Sequence, residues 1–273
     1  MSFEVASIKQ SKPGTFFPPN FPLDPGDAYA RTGGRFTADF RLATYITFAY
    51  KLSLTEEQVQ SMIAPLPKWV ATDNFEIQAR AAVDNPTKDQ MRLMMQSLLA
   101  DRFKLAAHFE TREGSVFALT QIKPGKLGPN LRPHAEGPPC PDSYSVPAPG
   151  APFSDKDVFP PVCDAVMFIR RPNSLARGGS RNTTLPLLAS VLPGLGDLGR
   201  PVVDQTGLNG RFDFMLEWAP ESKGPAATNG VPPDLEGPTF LEALHEQLGL
   251  KLESTKAPIQ ILVVDHVERP SEN

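Results

Sequence analysis

Apolar positions along the chain recur with two different periods, and together these predict both helices and strands. Leu42, Ile46 and Ala49 follow the three- and four-residue spacing of a helix. A longer helix is predicted to begin at a capping box formed by Thr87 and Gln90. Its apolar face consists of Met91, Met94, Met95, Leu98 and Leu99. A stripe of this kind is typical of a helix that packs against a core.

Strand patterns alternate with the helical ones. Every second residue is apolar in "NFEIQARA" (74–81) and "RFDFMLEW" (211–218). The alternating residues 103–109 and the following "SVFALTQI" predict an antiparallel hairpin, and "LKLES" with "IQILVVDHVE" predicts a second hairpin near the C-terminus. The predicted fold class is therefore α+β, with two similar layers of helices on antiparallel sheet.

The pattern of the first half returns in the second half at an offset of 145 positions. "GGRFTADFRLATYITFAY" matches "GGSRNTTLPLLASVLPGL", and Leu99 matches Leu244. A capping box of Thr239 and Glu242 opens the second copy of the long helix. Two matched blocks in the same order predict an internal duplication, with helix, strand, helix, strand and strand in each copy. The predicted organisation is a first unit at 1–122, a connecting loop at 123–177 and a second unit at 178–273.

Proline content changes the picture only in the middle of the chain. The chain has 30 prolines, whereas an average usage of about 5% would give about 14. Because proline lacks an amide donor and fixes its own backbone angle, the proline-rich segment 123–177 is predicted to be a long loop. Cys140 and Cys163 both lie in this loop. A disulfide between them is favoured over two free thiols, because closing an irregular loop is stabilising.

Such a disulfide would indicate an oxidising compartment, so we expect a secreted or periplasmic protein, although the chain as given shows no signal peptide. The net charge of −4 gives no electrostatic reason to expect nucleic acid as a partner. No apolar run approaches the roughly 20 residues of a membrane helix, so we expect no membrane insertion of this chain.

Candidate catalytic chemistry centres on Asp204 and Asp213, which flank the turn-forming sequence "QTGLNG". Residues 199–218 are predicted to form a hairpin, with Val202 and Val203 on one strand and residues 212–218 on the other. Across this hairpin the two carboxylates would lie about 5 Å apart, within the range of a retaining glycosidase. The alternative is that both carboxylates bond nearby turn amides. In that case Asp213→Asn costs little stability, and the segment exists mainly to bury the large apolar side chains on one face of residues 212–218.

The other candidate site is a polar surface site formed by His108 and Glu110, which share one face of a predicted strand. No third metal ligand is visible beside them. The sequence also lacks HExxH, paired CxxC, GxSxG and phosphate-loop motifs. We therefore expect no metal and no cofactor.

Four long segments carry a resemblance to a known family. They are "FEVASIK", "QMRLMMQSLLADRFKLAAHFETRE", "GRPVVDQTGLNGRFDF" and "EQLGLKLESTKAPIQILVVDHVERPSEN". The chain resembles a Solibacter-type paralogous family of secreted acidobacterial proteins, similar domains of which are fused to membrane metallopeptidases of the beta-lactam-sensor type. The resemblance implies export but no particular activity. The helix-strand units are also similar to the short domains of secretins and TonB-dependent receptors, which bind other proteins.

Two functions from different classes follow. The first is an exported binding or sensing module for a small molecule, glycan or protein. The alternative is a secreted hydrolase of glycosidic or ester bonds that uses carboxylates such as Asp204 and Asp213.

Overall fold

The fold is that of a computed structural model, which describes residues 1–12, 17–27, 31–137, 140, 163–170, 175–220 and 237–270. Contacts divide the chain into two compact units. Unit 1 comprises Met1–Gly114 and Ala257–Asn273, and unit 2 comprises Ser115–Lys256. This division differs from the boundaries read from the sequence, because the end of the chain joins unit 1 and much of the predicted loop 123–177 belongs to unit 2. The central part of that loop lies outside the described residues.

Helices and strands are mixed in several sheets, so the α+β class is confirmed. The strands are β1 (Val5–Gln10), β2 (Arg35–Arg41), β3 (Asn74–Arg80), β4 (Ala106–Gln121), β5 (Leu131–Pro133), β6 (Met167–Arg170), β7 (Ala176–Thr183), β8 (Val202–Asp204), β9 (Phe212–Trp218) and β10 (Leu250–His266). The α-helices are α1 (Leu42–Ala49), α2 (Glu56–Ile63), α3 (Trp69–Thr72), α4 (Lys88–Arg102), α5 (Leu185–Gly196) and α6 (Phe240–Ala243). A 3-10 turn covers His134–Glu136, and a π-helical turn, Leu244–Leu248, continues α6.

In unit 1, α1 and α4 pack on an antiparallel sheet with the strand order β1-β3-β2. The predicted capping box of Thr87 and Gln90 opens α4. The predicted methionine and leucine stripe of α4 is buried in the core, where it meets the aromatic residues Phe36, Phe48 and Phe75. The apolar period alone therefore determined which face of this helix is buried.

Two buried cations of α4 hold the loop before residue 27 against the helix. Lys88 Nζ lies 3.0 Å from the Asp24 carboxylate, and Arg92 donates to the backbone oxygens of Asp24 and Gly26. Burial lowers the pKa of the Lys88 amine, and the Asp24 carboxylate opposes that effect. Because Lys88 and Arg92 are themselves buried, leaving either cation without its partners is costly, so this network fixes the loop in place.

Unit 2 is built around a second antiparallel sheet with the order β5-β9-β7-β6. Thr239 and Glu242 form the predicted capping box of α6. The large apolar face of β9 is buried against α5, α6 and the π-helical turn, as the sequence predicts. It consists of Phe212, Phe214, Leu216 and Trp218.

The two hairpins predicted from the sequence at residues 103–122 and 250–268 are wrong. β4 and β10 are each a single continuous strand, and they lie beside one another in a sheet of order β10-β4-β8. The chain does not turn at Gly114, which lies within β4. A Cβ atom at Gly114 would lie 2.7 Å from the Ile259 side chain. Pro258 lies within β10, which is an edge strand of this sheet, the place in a sheet where proline is tolerated.

The hairpin predicted over residues 199–218 is also wrong. β8 pairs in parallel with β4, with Phe117 opposite Val202. β9 pairs antiparallel with β5 on one side and with β7 on the other. Since both edges of β9 are already hydrogen-bonded, β8 has no edge of β9 left to join. The "QTGLNG" segment is therefore a connection between two sheets.

Candidate functional site

Asp213 lies at the centre of a polar cluster in unit 2. It sits on β9, on the face opposite Phe212 and Phe214, and is nevertheless fully buried, with 0% of its surface exposed. Its carboxylate accepts a hydrogen bond from His134 Nδ1 at 2.6 Å and one from the backbone amide of Asn182 at 3.0 Å. The site is therefore a buried carboxylate surrounded by donors, and its main partners are not the amides of the adjacent turn that the sequence predicts.

Two arginines add positive charge to this cluster. Arg132 Nη2 lies 3.4 Å from the Asp213 carboxylate, and Arg181 Nε lies 3.7 Å from it. A buried anion is tolerated only when it is paired and hydrogen-bonded, and here one carboxylate faces two guanidinium groups and an imidazole. The cluster is thus rich in positive charge.

Strand pairing explains why these residues meet. Arg132 lies directly opposite Asp213 in the β5–β9 ladder, and His134 follows two residues later. On the other side, the register of β7 and β9 shifts between Ser180 and Thr183. A shift of this kind re-aims the backbone at a bulge. Asn182 adopts a positive φ of 55° there, and its amide donates to Asp213.

A disulfide borders the same cluster. Cys140 and Cys163 are bonded to each other, so the predicted disulfide is confirmed. The backbone of Cys163 forms an isolated parallel β-bridge with the backbone of Arg181. The backbone amide of Asp164 donates to the backbone oxygen of Arg181. Cys140 Sγ lies 3.7 Å from His134 Nε2. The disulfide therefore holds a sulfur atom against the ring nitrogen of His134 that does not face Asp213.

This arrangement determines which ring nitrogen of His134 carries a proton. Because Nδ1 of His134 faces a carboxylate, which accepts but cannot donate, Nδ1 carries a proton. A buried carboxylate that orients a histidine in this way leaves Nε2 to exchange a proton with a third group. Sequence reasoning did not single out His134, because Asp213 and His134 lie 79 residues apart in the chain.

Asp204 plays a different part. Its carboxylate accepts from the backbone amide of Thr206 at 2.9 Å and from the Thr206 hydroxyl at 2.8 Å, which is the local turn role considered in the sequence analysis. Asp204 and Asp213 lie on strands of different sheets. The geometric argument for a catalytic pair required the 199–218 hairpin, and it is lost with that hairpin.

His108 and Glu110 do share a surface cluster, with a partner that the sequence did not reveal. His108 Nδ1 lies 2.8 Å from Asp265, and its Nε2 lies 3.3 Å from Glu110. Asp265 comes from β10, 157 residues further along the chain. Within the described residues, no group of three or more side chains is arranged to hold a metal ion.

The His108 cluster leads to a pH prediction. Hydrogen bonds to Asp265 and then to Glu110 raise the pKa of His108 above 6.5. The folded protein therefore binds this proton more tightly than the unfolded chain, so the interaction stabilises the fold below about pH 6.5 and is lost as the pH rises through the folded-state pKa. An NMR titration of His108 should show the raised pKa, and Asp265→Asn should lower it. Glu268→Gln, which removes the partner of His266, should leave it unchanged; an equal shift in both variants would contradict this assignment.

Unit 1 contains a pocket that no sequence motif indicated. Its volume is about 370 Å³, and it lies between the N-terminal residues and the last turns of α4. Ser97 on its wall donates to the backbone oxygen of Met1 at 2.7 Å. The lining residues are Ser2, Phe3, Ala6, Ser97, Leu98, Asp101 and Arg102.

Comparison with known proteins places the chain in a family. The family model described as "Protein of unknown function (DUF3738)" matches residues 43–267, which is most of the chain. The chain belongs to the DUF3738 family. No curated protein and no solved structure matches it. The match spans both units, and so covers the Asp213 cluster and much of the unit 1 pocket.

Two further findings bear on the cellular environment of this DUF3738 chain. In the part of the chain that the structure describes, no helix is both long and apolar enough to cross a membrane. The Cys140–Cys163 disulfide points to an oxidising compartment, because such bonds persist outside reducing cytosol.

Proposed function

We propose that this DUF3738 chain is an exported binding module that takes a small ligand into the pocket of unit 1. The observation that carries the proposal is the pocket itself, whose volume of about 370 Å³ falls within the range of roughly 300–1,000 Å³ typical of small-molecule sites. Phe3 and Leu98 supply apolar surface, and Ser97, Asp101 and Arg102 supply polar groups of both charges. This lining suits a small molecule with an apolar part and several hydrogen-bonding groups, such as a short peptide or glycan fragment.

The state of the two candidate catalytic carboxylates supports binding over catalysis. Asp213 is fully buried among donors, and Asp204 is engaged in a local turn. A carboxylate that attacks or protonates a substrate must reach it. The burial of Asp213 and the turn bonding of Asp204 therefore weigh against a direct role for either carboxylate.

The binding proposal is tested by titrating ¹⁵N-labelled protein with amino acids, dipeptides and short glycans and following amide chemical shifts. Binding should perturb amides around Ser97 and Arg102. Ala6→Trp should weaken that binding at least about tenfold by filling the pocket, whereas Val5→Trp is the matched control because Val5 is the exposed neighbour on the same strand. Perturbations confined to other regions, or binding that survives Ala6→Trp unchanged, would refute the pocket assignment.

Export is part of the same proposal. The disulfide supports it, and so does the resemblance to Solibacter-type secreted proteins with relatives fused to membrane metallopeptidases. Fractionation of cells that carry the native gene should place the protein outside the cytoplasm with Cys140 and Cys163 oxidised. Recovery from the cytosol with two free thiols would refute export.

We also propose that the two units arose by duplication. In unit 1 the central strand β3 lies between β1 and β2, and in unit 2 the central strand β9 lies between β5 and β7. All four pairings are antiparallel, and in each unit a helix follows the second flanking strand. The proposal requires Leu99 to fall on Leu244, and Phe103 on Leu248, when residues 33–122 are superposed on 178–267.

A hydrolase is the second candidate, and the contact between His134 and Asp213 favours it. An oriented histidine can act as a general base toward a nucleophile or water at Nε2. A screen against chromogenic esters and glycosides tests this possibility. Activity that His134→Gln abolishes, in a protein that remains folded, would favour the hydrolase over the binding module.

A further inference from the structure

We propose that Cys140 and Cys163 form a thiol–disulfide exchange centre, in which His134 and Asp213 stabilise Cys140 as a thiolate and which oxidises dithiols. This activity is independent of ligand binding in unit 1. It rests on three observations: the disulfide, the contact of His134 with Cys140, and the buried carboxylate behind His134.

The geometry directs a proton toward sulfur. A disulfide sulfur carries no hydrogen, so the contact of 3.7 Å between His134 Nε2 and Cys140 Sγ is a hydrogen bond only when Nε2 carries the proton. Nδ1 already carries a proton toward Asp213. The contact is therefore a hydrogen bond when both ring nitrogens carry a proton, with the Asp213 carboxylate facing Nδ1.

The surrounding charges favour a thiolate at the same place. Arg132 and Arg181 both lie within 4 Å of the Asp213 carboxylate. His134 lies beside the same carboxylate. Cysteine thiolates form most readily beside histidine or arginine cations, whereas a cysteine in apolar surroundings stays protonated. Cys163 is 8% exposed and has no histidine contact among the described residues.

The exchange reaction can be written so that atoms and electrons balance. One thiolate of the dithiol attacks Cys140 Sγ, the Cys140–Cys163 bond breaks, and Cys163 leaves and takes a proton from water. The second thiolate of the dithiol then attacks the first sulfur of the dithiol, which is now bonded to Cys140 Sγ. That bond breaks, and Cys140 leaves as a thiolate beside His134. The dithiol has become a disulfide and the protein has gained two electrons. Of the two protons of the dithiol, one is balanced by the proton on Cys163 and the other is released to solvent.

Stabilising the reduced form makes a disulfide a stronger oxidant. The substrate class is therefore a dithiol, either a small molecule or a pair of cysteines in a newly exported protein. In the reverse direction, the Cys140 thiolate would attack a substrate disulfide and Cys163 would complete the exchange.

The first test measures alkylation of the reduced full-length protein by iodoacetamide across pH 5 to 10, with peptide mass mapping to separate the two cysteines. Cys140 should reach half its maximal alkylation rate at least about one pH unit below the ordinary thiol value near 8.5. Cys163 should titrate near that ordinary value. His134→Gln should raise the Cys140 midpoint, and His245→Gln, an exposed histidine elsewhere in unit 2, should not.

The second test equilibrates the protein with dithiothreitol or glutathione redox buffers and quantifies oxidised and reduced forms. One pH unit of thiolate stabilisation corresponds to about a tenfold change in the exchange equilibrium, so His134→Gln should favour the disulfide by about that factor. Circular dichroism of the reduced protein shows whether the fold persists. Equal titration of the two cysteines, no response to His134→Gln, or loss of the fold on reduction would each overturn the proposal.

Discussion

Asp213→Asn should lower the free energy of unfolding by about 3–5 kcal/mol, the range for breaking a buried charge pair from one side. The substitution keeps the shape of the side chain but removes the charge that faces His134, Arg132 and Arg181. Those cations would lose their ion pairs and hydrogen bonds with the Asp213 carboxylate. The NH2 group of the new asparagine must also point its hydrogens at groups that are themselves donors.

Denaturation in urea, monitored by tryptophan fluorescence and circular dichroism, measures this effect. Glu217→Gln is the matched control, since Glu217 lies on the same strand and face, pairs with Arg177, and is partly exposed. That change should cost no more than about 1 kcal/mol. A loss below about 1 kcal/mol for Asp213→Asn would mean that the cluster does not depend on its charge.

Phe214→Ala should be comparably destabilising, at about 3–5 kcal/mol, for a different physical reason. The Phe214 side chain is fully buried in the core of unit 2, among the apolar residues of α5 and the π-helical turn. Truncation removes its buried apolar surface and leaves a cavity that rigid neighbouring elements fill only in part.

The control for Phe214 is its neighbour Met215, which points to the other face of β9 and is only partly buried. Met215→Ala should cost about 1 kcal/mol or less. The two variants should differ in their unfolding midpoint but share one denaturant slope, because that slope reports whether the native state stays compact. Equal destabilisation of both variants would argue against the core described for unit 2.

Local features were predictable because they depend on residues close together in sequence. The capping boxes at Thr87 and Thr239 satisfy amides within one turn of the same chain segment. The apolar face of β9 follows from the two-residue period of a strand, whichever neighbours that strand acquires. The disulfide was predictable because the chain offers only two cysteines.

Pairing partners were not predictable in the same way. Glycine and proline near residues 114 and 258 are typical turn residues, yet the chain passes straight through both positions in β4 and β10. Glycine permits a turn but does not require one. The free edge of a sheet, and the side chains available to cover it, decide whether a segment turns back or continues.

The sequence by itself determined the helical and strand periods, the buried faces of α4 and β9, the α+β class and the disulfide. Only the tertiary structure decided that β8 joins β4, that Asp265 meets His108, and that Asp213 is enclosed by His134 and two arginines. The reason is physical. Periodicity is a property of a few consecutive residues, whereas strand pairing and charge burial depend on which distant segments reach the same place and leave no other partner available.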